Sequence, residues 1–422
     1  MRAETFLNSL VDYEKTPGYH YDLDAFRRFL DTARVPYRKL KNVIHIAGTK
    51  GKGSVAAMVS ACLTACGYRV GTFTSPHLVR INERITINGH QIGDRQLSAL
   101  VRRLAPFLGH GRSARTFFEA VTATAFCHFN AHRVHFNVLE VGLGGRLDAT
   151  NVTEPLISVI TRIGYDHTHL LGNTLPQIAM EKAGILKPGG TLITTQQRYS
   201  VQRVVHRHAR ALGNRVIMAN KQHCIAVRRY SLRGMQLRIS GRLGTFTASM
   251  PLVGQHQIEN LLIALSVLAE IKDRGYSIST ANIVQGLRHI RLRGRFDLLA
   301  TQPPVIFDCA HNEDSFRALH QNLKACGIRV FFMIFGSNHQ KDFRYCITHL
   351  FPLAREVVLV RTQSTRAIEP HAILSLTGRR KNMSIASSVR TALEYVKKES
   401  STSVPIIITG SFYLWQNTWS NE

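Results

Sequence analysis

The stretch Gly48-Thr49-Lys50-Gly51-Lys52-Gly53-Ser54 constrains this chain more than any other, because it joins the apolar run Val43-Ile44-His45-Ile46 to the apolar, helix-like segment Val55 to Leu63. A strand, a glycine-rich turn and a helix start together form a phosphate cradle. Glycines let backbone N–H groups turn toward an anion, the helix start adds partial positive charge, and Lys52 can reach the outer phosphates of a nucleotide. Ser54 offers a hydroxyl to a phosphate or to Mg²⁺. The spacing departs from a strict Walker A loop: only two residues separate Gly48 from Gly51, and Gly53 displaces the hydroxyl by one position. On this stretch alone, an ordinary glycine-rich β-to-α turn is the alternative.

A length of 422 residues exceeds one ordinary core, so about two or three domains are expected. Hydrophobic content of 44% with 19% charged residues fits a soluble, well-packed protein. No apolar run approaches the ~20 residues that span a bilayer, and Met1 to Asp24 lack the apolar stretch of a signal peptide. A cytoplasmic location without a membrane partner is therefore expected. Seven cysteines without CxxC or Cys/His finger spacing argue against disulfides and structural zinc. The formal charge of +27, from 54 Lys+Arg against 27 Asp+Glu, attracts polyanions, nucleotides and polycarboxylates alike. The basic residues are scattered and carry no RNA-binding signature, so nucleic acid is not expected as a partner.

Along the chain, Asp24 to Arg34 reads as a helix leading into the cradle. A strand over Arg69 to Thr74 delivers the loop Ser75-Pro76-His77-Leu78 to the carboxyl end of a parallel sheet, and Ile85 to Ile92 reads as a hairpin turning at Asn88-Gly89. Helices over Gln96 to Leu108 and Thr116 to Phe129 bracket a basic loop, and Glu119 complements the dipole of the second. The strand Val134 to Val141 ends on Glu140 beside the glycine-rich loop Gly142 to Asn151, a good position for holding Mg²⁺; pairing with a nearby Arg is the alternative. Ile157 to Thr161 is the next strand, and Gln177 to Ile185 is a helix containing Glu181-Lys182-Ala183-Gly184. Strand signals at Thr191 to Thr195 and Arg215 to Ala219, with alternation over Gly234 to Met250, predict an antiparallel extension of the sheet. A long helix follows over Leu261 to Ile271. Arg288 to Asp297 reads as a hinge, after which strand, loop and helix signals restart at Val305 to Phe307 and run to Pro405 to Thr409. The expected fold class is α/β: an N-terminal P-loop domain with a mostly parallel sheet over residues 1–290, and a smaller Rossmann-like α/β domain over residues 291–422.

Taken together these loops resemble the folylpolyglutamate synthase and dihydrofolate synthase family of the Mur ligase superfamily. The matching stretches are Gly48 to Ser54, Ser75-Pro76-His77-Leu78 with Asn82-Glu83-Arg84, Glu140 to Asn151, Asp166-His167 with Leu171-Gly172, and Glu181 to Ile185. Arg293 to Phe296, Phe307 to Asn312 and Thr409 to Tyr413 complete them, in the family's order. The resemblance implies an ATP-binding central domain, a C-terminal glutamate-ligase domain, and an ATP- and Mg²⁺-dependent amide ligase. In that family a substrate carboxylate attacks the γ-phosphate of ATP, and the amine of L-glutamate then displaces phosphate from the acyl phosphate. Dihydropteroate or reduced folates and L-glutamate are the implied small-molecule partners, with the chain a monomer.

Carried over by resemblance, Gly48, Thr49, Gly51, Lys52, Gly53 and Ser54 hold ATP, with Lys52 on the β/γ-phosphates. Ser75 and Glu140 look like ligands of a first Mg²⁺, and His167 like a ligand of a second, shared with Lys182, which this family can carbamylate. Asn260 is similar to the adenine-contacting Asn and Arg295 to the Arg that reaches the nucleotide phosphates. Asp308, His311 and Ser411 resemble residues on the ATP and glutamate side of the cleft, while Ser75, His77, Arg84 and Glu119 belong to substrate-binding segments. Lys52, Lys182 and His311 are the catalytic candidates. Lys50 departs from the family, which usually has Asn there. A Mur-type ligase of nucleotide-linked peptidoglycan precursors and a nucleic-acid-binding protein on a ligase scaffold are the alternative readings.

Overall fold

The computed structural model describes residues 3–11, 22–109, 115–339, 341–378, 382–399 and 404–417. Most of the basic loop expected after Leu108, Gln340 of the expected loop 336–342, and part of the N-terminal stretch lie outside the described residues. Contacts divide the chain into two compact units: Met1–Ala226 with Arg238–Ala248 and Ile258–Ile290, and Val227–Leu237 with Ser249–Gln257 and Arg291–Glu422.

The first unit is built on eight strands: β1 (Val43–Ala47), β2 (Val70–Phe73), β3 (Ile85–Ile87), β4 (His90–Gln91), β5 (Phe136–Glu140), β6 (Pro155–Ile160), β7 (Thr191–Thr194) and β8 (Arg215–Met218). Their order across the sheet is β4-β3-β2-β5-β1-β6-β7-β8. The six strands from β2 to β8 run parallel, and β3 and β4 turn back antiparallel at one edge. All five residues of β1 and of β5 are buried, as strands covered on both faces must be. Ile46 lies opposite Glu140 and Ala47 opposite Ile160, so the carboxyl ends of β1, β5 and β6 come out side by side. That register places the cradle, the Gly142 loop and the loop after Ile160 next to one another.

The alternating stretch predicted as an extension of this sheet is instead a separate antiparallel sheet of β9 (His223–Ser231), β10 (Gly234–Gly241) and β11 (Phe246–Met250), in the order β11-β10-β9. β7 and β8 join the main sheet in parallel. Alternation reports one buried face, which both arrangements have; it does not say which sheet the strand joins.

The second unit carries β12 (Asp297–Thr301), β13 (Pro304–Asp308), β14 (Phe331–Phe335), β15 (Ala354–Leu359), β16 (Met383–Ile385) and β17 (Ile406–Thr409), ordered β12-β13-β17-β14-β15-β16. Only β12 is antiparallel. The Phe-Phe-Met-Ile-Phe run of β14 is wholly buried and packs with Phe316, Leu350 and Phe351 into this unit's core. Asp308 pairs in register with Thr409, so the loops after β13 and β17 emerge together.

Candidate functional site

The cradle follows β1 directly. Gly48 and Gly51 have φ of +146° and +90°, and a Cβ on either would stand 1.8 Å from Thr161 Oγ1 or 2.1 Å from Asn260 Oδ1. Only glycine fits there. The amides of Thr49 and Lys50 both donate to the carbonyl of Arg162, at 3.0 and 3.1 Å, which ties the loop to the chain after β6. These two N–H groups are therefore spent on the fold. Anion-binding capacity lies one step on, in the first turn of the helix Lys52–Ala65, where the leading N–H groups have no carbonyl one turn back. Lys52 Nζ donates to the carbonyl of Gly48 at 3.2 Å, holding its charge over the loop. Ser54 is buried behind it.

Glu140 closes the other side. Its Oε2 accepts from the amide of Ser75 at 3.2 Å, and a Cβ on Gly53 would lie 3.4 Å from the same oxygen, so the carboxylate faces the first turn of the cradle helix. Lys182, on the helix Leu175–Ala183, is only 4% exposed, and burial beside Lys52 lowers its pKa to about 7. Burial also lowers the pKa of His167, with Lys52 and Lys182 adding to the effect against Asp166. His167 is left-handed, φ +47°, at the start of the short helix Thr168–Leu171. The structure thus brings Lys52, Lys182 and His167 within one electrostatic neighbourhood. Among the described residues no three His, Cys, Asp or Glu side chains form a metal-holding group by themselves.

A cavity of about 610 Å³, its mouth included, opens where β5 ends. Phe26, Phe117, Phe118 and Leu147 give it apolar walls, and Arg84, Glu119 and Asp148 give it polar points. Arg84 is buried, lies over the Phe117 ring at 5.0 Å and donates from Nε to His77 Nδ1 at 2.8 Å, so His77 is neutral with its proton on Nε2. Glu119 does more than complement a dipole. It completes a capping box with Thr116 and pairs with Arg115 at 3.3 Å, both side chains nearly buried at 10% and 13% exposure. Glu119→Ala is expected to cost about 2 kcal/mol in urea unfolding, since a cap is lost and Arg115 loses a carboxylate partner. Glu119→Gln keeps the capping acceptor and should cost clearly less.

In the second unit, Asp308 at the end of β13 accepts from the amides of Phe296 and Ala310, both at 2.9 Å. Burial raises its pKa to about 6 despite the Arg295 charge. His311 Nδ1 meets the carbonyl of Cys309 at 2.8 Å; a carbonyl only accepts, so that nitrogen carries the proton and a neutral ring leaves Nε2 as acceptor. Ser411 is buried and takes the amide of Tyr413 at 3.2 Å, while the amide of Gly410 donates to Ala310 at 3.0 Å. Asp308, His311 and Ser411 thus share one sheet end. Sequence reasoning did not single out Asp148 and His45, although Asp148 lies inside a quoted motif and His45 is the one polar residue of β1.

With this geometry in place, comparison with known proteins places the chain. Residues 46–268 match the Mur ligase middle domain and residues 294–412 the glutamate ligase domain of Mur ligases. A dihydrofolate synthase/folylpolyglutamate synthase of Bacillus subtilis is 32% identical, over 97% of this chain and 96% of that one. The enzyme of the same name from Escherichia coli is 30% identical over 98% and 94%. Among solved structures, a Mycobacterium tuberculosis folylpolyglutamate synthase complexed with ADP and AMPPCP superposes with a TM-score of 0.84 at 30% identity over 94% of each chain. E. coli FolC in complex with DHPP and ADP gives 0.84 at 26% identity, over 98% of this chain and 96% of that one. Among the described residues no helix is long and apolar enough to cross a membrane. The peptidoglycan ligases are related to this chain at the level of the superfamily, and the chain itself belongs to the dihydrofolate synthase/folylpolyglutamate synthase family of Mur ligases.

Proposed function

We infer that the chain is an ATP-dependent ligase that joins L-glutamate to dihydropteroate, to reduced folates, or to both, through an acyl phosphate. One observation carries this reading: the end of β5 turns Glu140 toward the nucleotide cradle and, two residues on, lines an apolar, ring-walled cavity with Gly142 and Leu143. A flat heterocycle held in that cavity brings its attached acid toward the phosphates.

Phosphoryl transfer asks the protein for charge neutralisation and positioning rather than a covalent nucleophile. The substrate carboxylate attacks the γ-phosphorus, ADP leaves, and the glutamate amine adds to the acyl carbon and expels phosphate. Lys52 supplies positive charge where negative charge develops on the transferring oxygens. Asn260, against Gly51, would meet the adenine, and within the second unit Asp308, with the Arg295 charge acting on it, His311 and Ser411 would take up glutamate at one sheet end. Arg84, which lines the cavity and is braced by its bond to His77, would set positive charge at the substrate's polar edge.

The donor set fits Mg²⁺ of the kind that arrives with a nucleotide. Glu140 is a single carboxylate at the cradle, bonded to the backbone amide of Ser75, and Mg²⁺ commonly takes one or two protein oxygens and completes its shell with phosphate and water. Bound there, Mg²⁺ would offset phosphate charge. His167, whose pKa desolvation and the nearby lysines lower, and a carbamylated Lys182 would hold a second ion. A neutral lysine amine adds CO₂ and releases a proton, giving a carboxylate-like oxygen donor.

Purified protein with ATP, Mg²⁺, L-glutamate and dihydropteroate or tetrahydrofolate is expected to release one ADP per glutamyl group added. ADP formation that ignores the pterin substrate, or no glutamylated product with either substrate, would overturn this reading.

A further inference from the structure

We propose that His45 is a positioning residue for the ring-walled cavity, acting through Thr150 and Asp148 on the glycine-rich loop after β5. The proposal rests on the reading of that cavity as the pterin-side substrate pocket. His45 sits in the middle of β1, fully buried, in a strand otherwise made of Val, Ile and Ala. Its Nε2 lies 2.7 Å from Thr150 Oγ1. The Thr150 hydroxyl spends its single proton on Asp148 Oδ1, 2.5 Å away, so toward His45 it can only accept. The imidazole must therefore carry its proton on Nε2. Burial holds the ring neutral, with a pKa of about 3, and leaves Nδ1 with no hydrogen-bond partner among the described residues. A branched apolar residue would fill this strand position without stranding a nitrogen. What histidine adds is the Nε2–H donor.

The far end of this chain of bonds is a wall of the cavity. Asp148 Oδ1 also accepts from the amide of Thr150 at 2.9 Å, and Oδ2 accepts from the amides of Gly142 and Leu143, each at 3.0 Å. Four donors fill both oxygens, so Asp148 shapes the loop and has no in-plane lone pair left for a ligand. Gly142, Leu143 and Asp148 all line the cavity. Gly142 has no room to move, since a Cβ there would stand 2.5 Å from the Phe118 ring. The histidine donor thus fixes the direction of the Thr150 hydroxyl, the hydroxyl fixes the carboxylate, and the carboxylate fixes the loop against the ring wall.

The test is a steady-state comparison of wild type, His45→Leu, Thr150→Val, the double variant and His45→Gln, with thermal melts alongside. His45→Leu and Thr150→Val should each raise KM for the pterin substrate by about tenfold, leave KM for ATP within about twofold, and combine without further loss because they cut one chain of bonds. His45→Gln, whose amide can donate to Thr150, should restore much of the effect. An unchanged pterin KM in Thr150→Val, equal changes in both KM values, or additive losses in the double variant would overturn the proposal. If His45→Leu fails to fold, Thr150→Val decides alone. Absence of glutamylation by the wild type would instead count against the proposed function, so the two failures are distinct.

Discussion

Lys52→Ala is expected to lower kcat/KM about 10³-fold while the melting temperature moves by no more than a few degrees. The size follows from removing a preorganised charge from the site where negative charge develops, for which single donors are worth about 10² to 10³. The small structural cost follows from the geometry: Lys52 is only half-buried, and its side chain bonds to the carbonyl of Gly48, within its own loop. The hinge of the cradle is made by Gly48 and Gly51, which the substitution leaves alone. Stopped-time assays of ADP and glutamylated product, with melts on the same preparation, check both halves. A loss in activity matched by a collapse in Tm would mean that Lys52 holds the fold rather than the phosphates.

The second large effect concerns Lys182. With a pKa near 7 in the folded protein against about 10.5 unfolded, the native state binds fewer protons than the unfolded chain between these values. The lysine's contribution to stability therefore rises as pH climbs from about 7 toward 10.5 and is least favourable below 7, where a buried ammonium faces Lys52. Replacement by Met should remove this dependence, so the Tm of Lys182→Met should exceed that of wild type most clearly near pH 6 and lose its advantage as the buffer becomes alkaline. Activity moves the other way. Lys182→Met should fall about 10² to 10³-fold if a carbamate oxygen is used there, whereas wild-type activity should rise through pH 7 and respond to added bicarbonate. Lys182→Ala partly rescued by formate or acetate would support the same chemistry; a bicarbonate-insensitive wild type with no rescue would remove it.

The cradle, Glu140 and the loops after β2 and β5 were legible because their chemistry is local: a strand, a glycine-bearing turn and a helix start lie within a few residues of each other. Glu119 was half legible. A Thr three residues before a Glu is a capping box in the sequence itself, but its pairing with Arg115 is a matter of side-chain burial. The contact between His45 and Thr150 spans 105 positions and exists only once β1 and β5 take their register. The helix Tyr199–Ala211 escaped notice for another reason: its buried stripe of Val201, Val205 and Ala209 has helical spacing but is diluted by exposed Arg and His. β9 and β12 each pair with the strand that follows them, but they lie on alternating or short segments, and periodicity alone does not say which sheet such a strand joins.

The most direct test follows oxygen. Dihydropteroate carrying ¹⁸O in its carboxylate, incubated with the protein, ATP, Mg²⁺ and L-glutamate, should deliver one ¹⁸O to inorganic phosphate for each glutamyl amide formed, because the attacking carboxylate oxygen leaves with the phosphate. Unlabelled phosphate alongside a glutamylated product would contradict the acyl phosphate, and no glutamylated product either from this substrate or from tetrahydrofolate labelled in the same way would contradict the ligase itself.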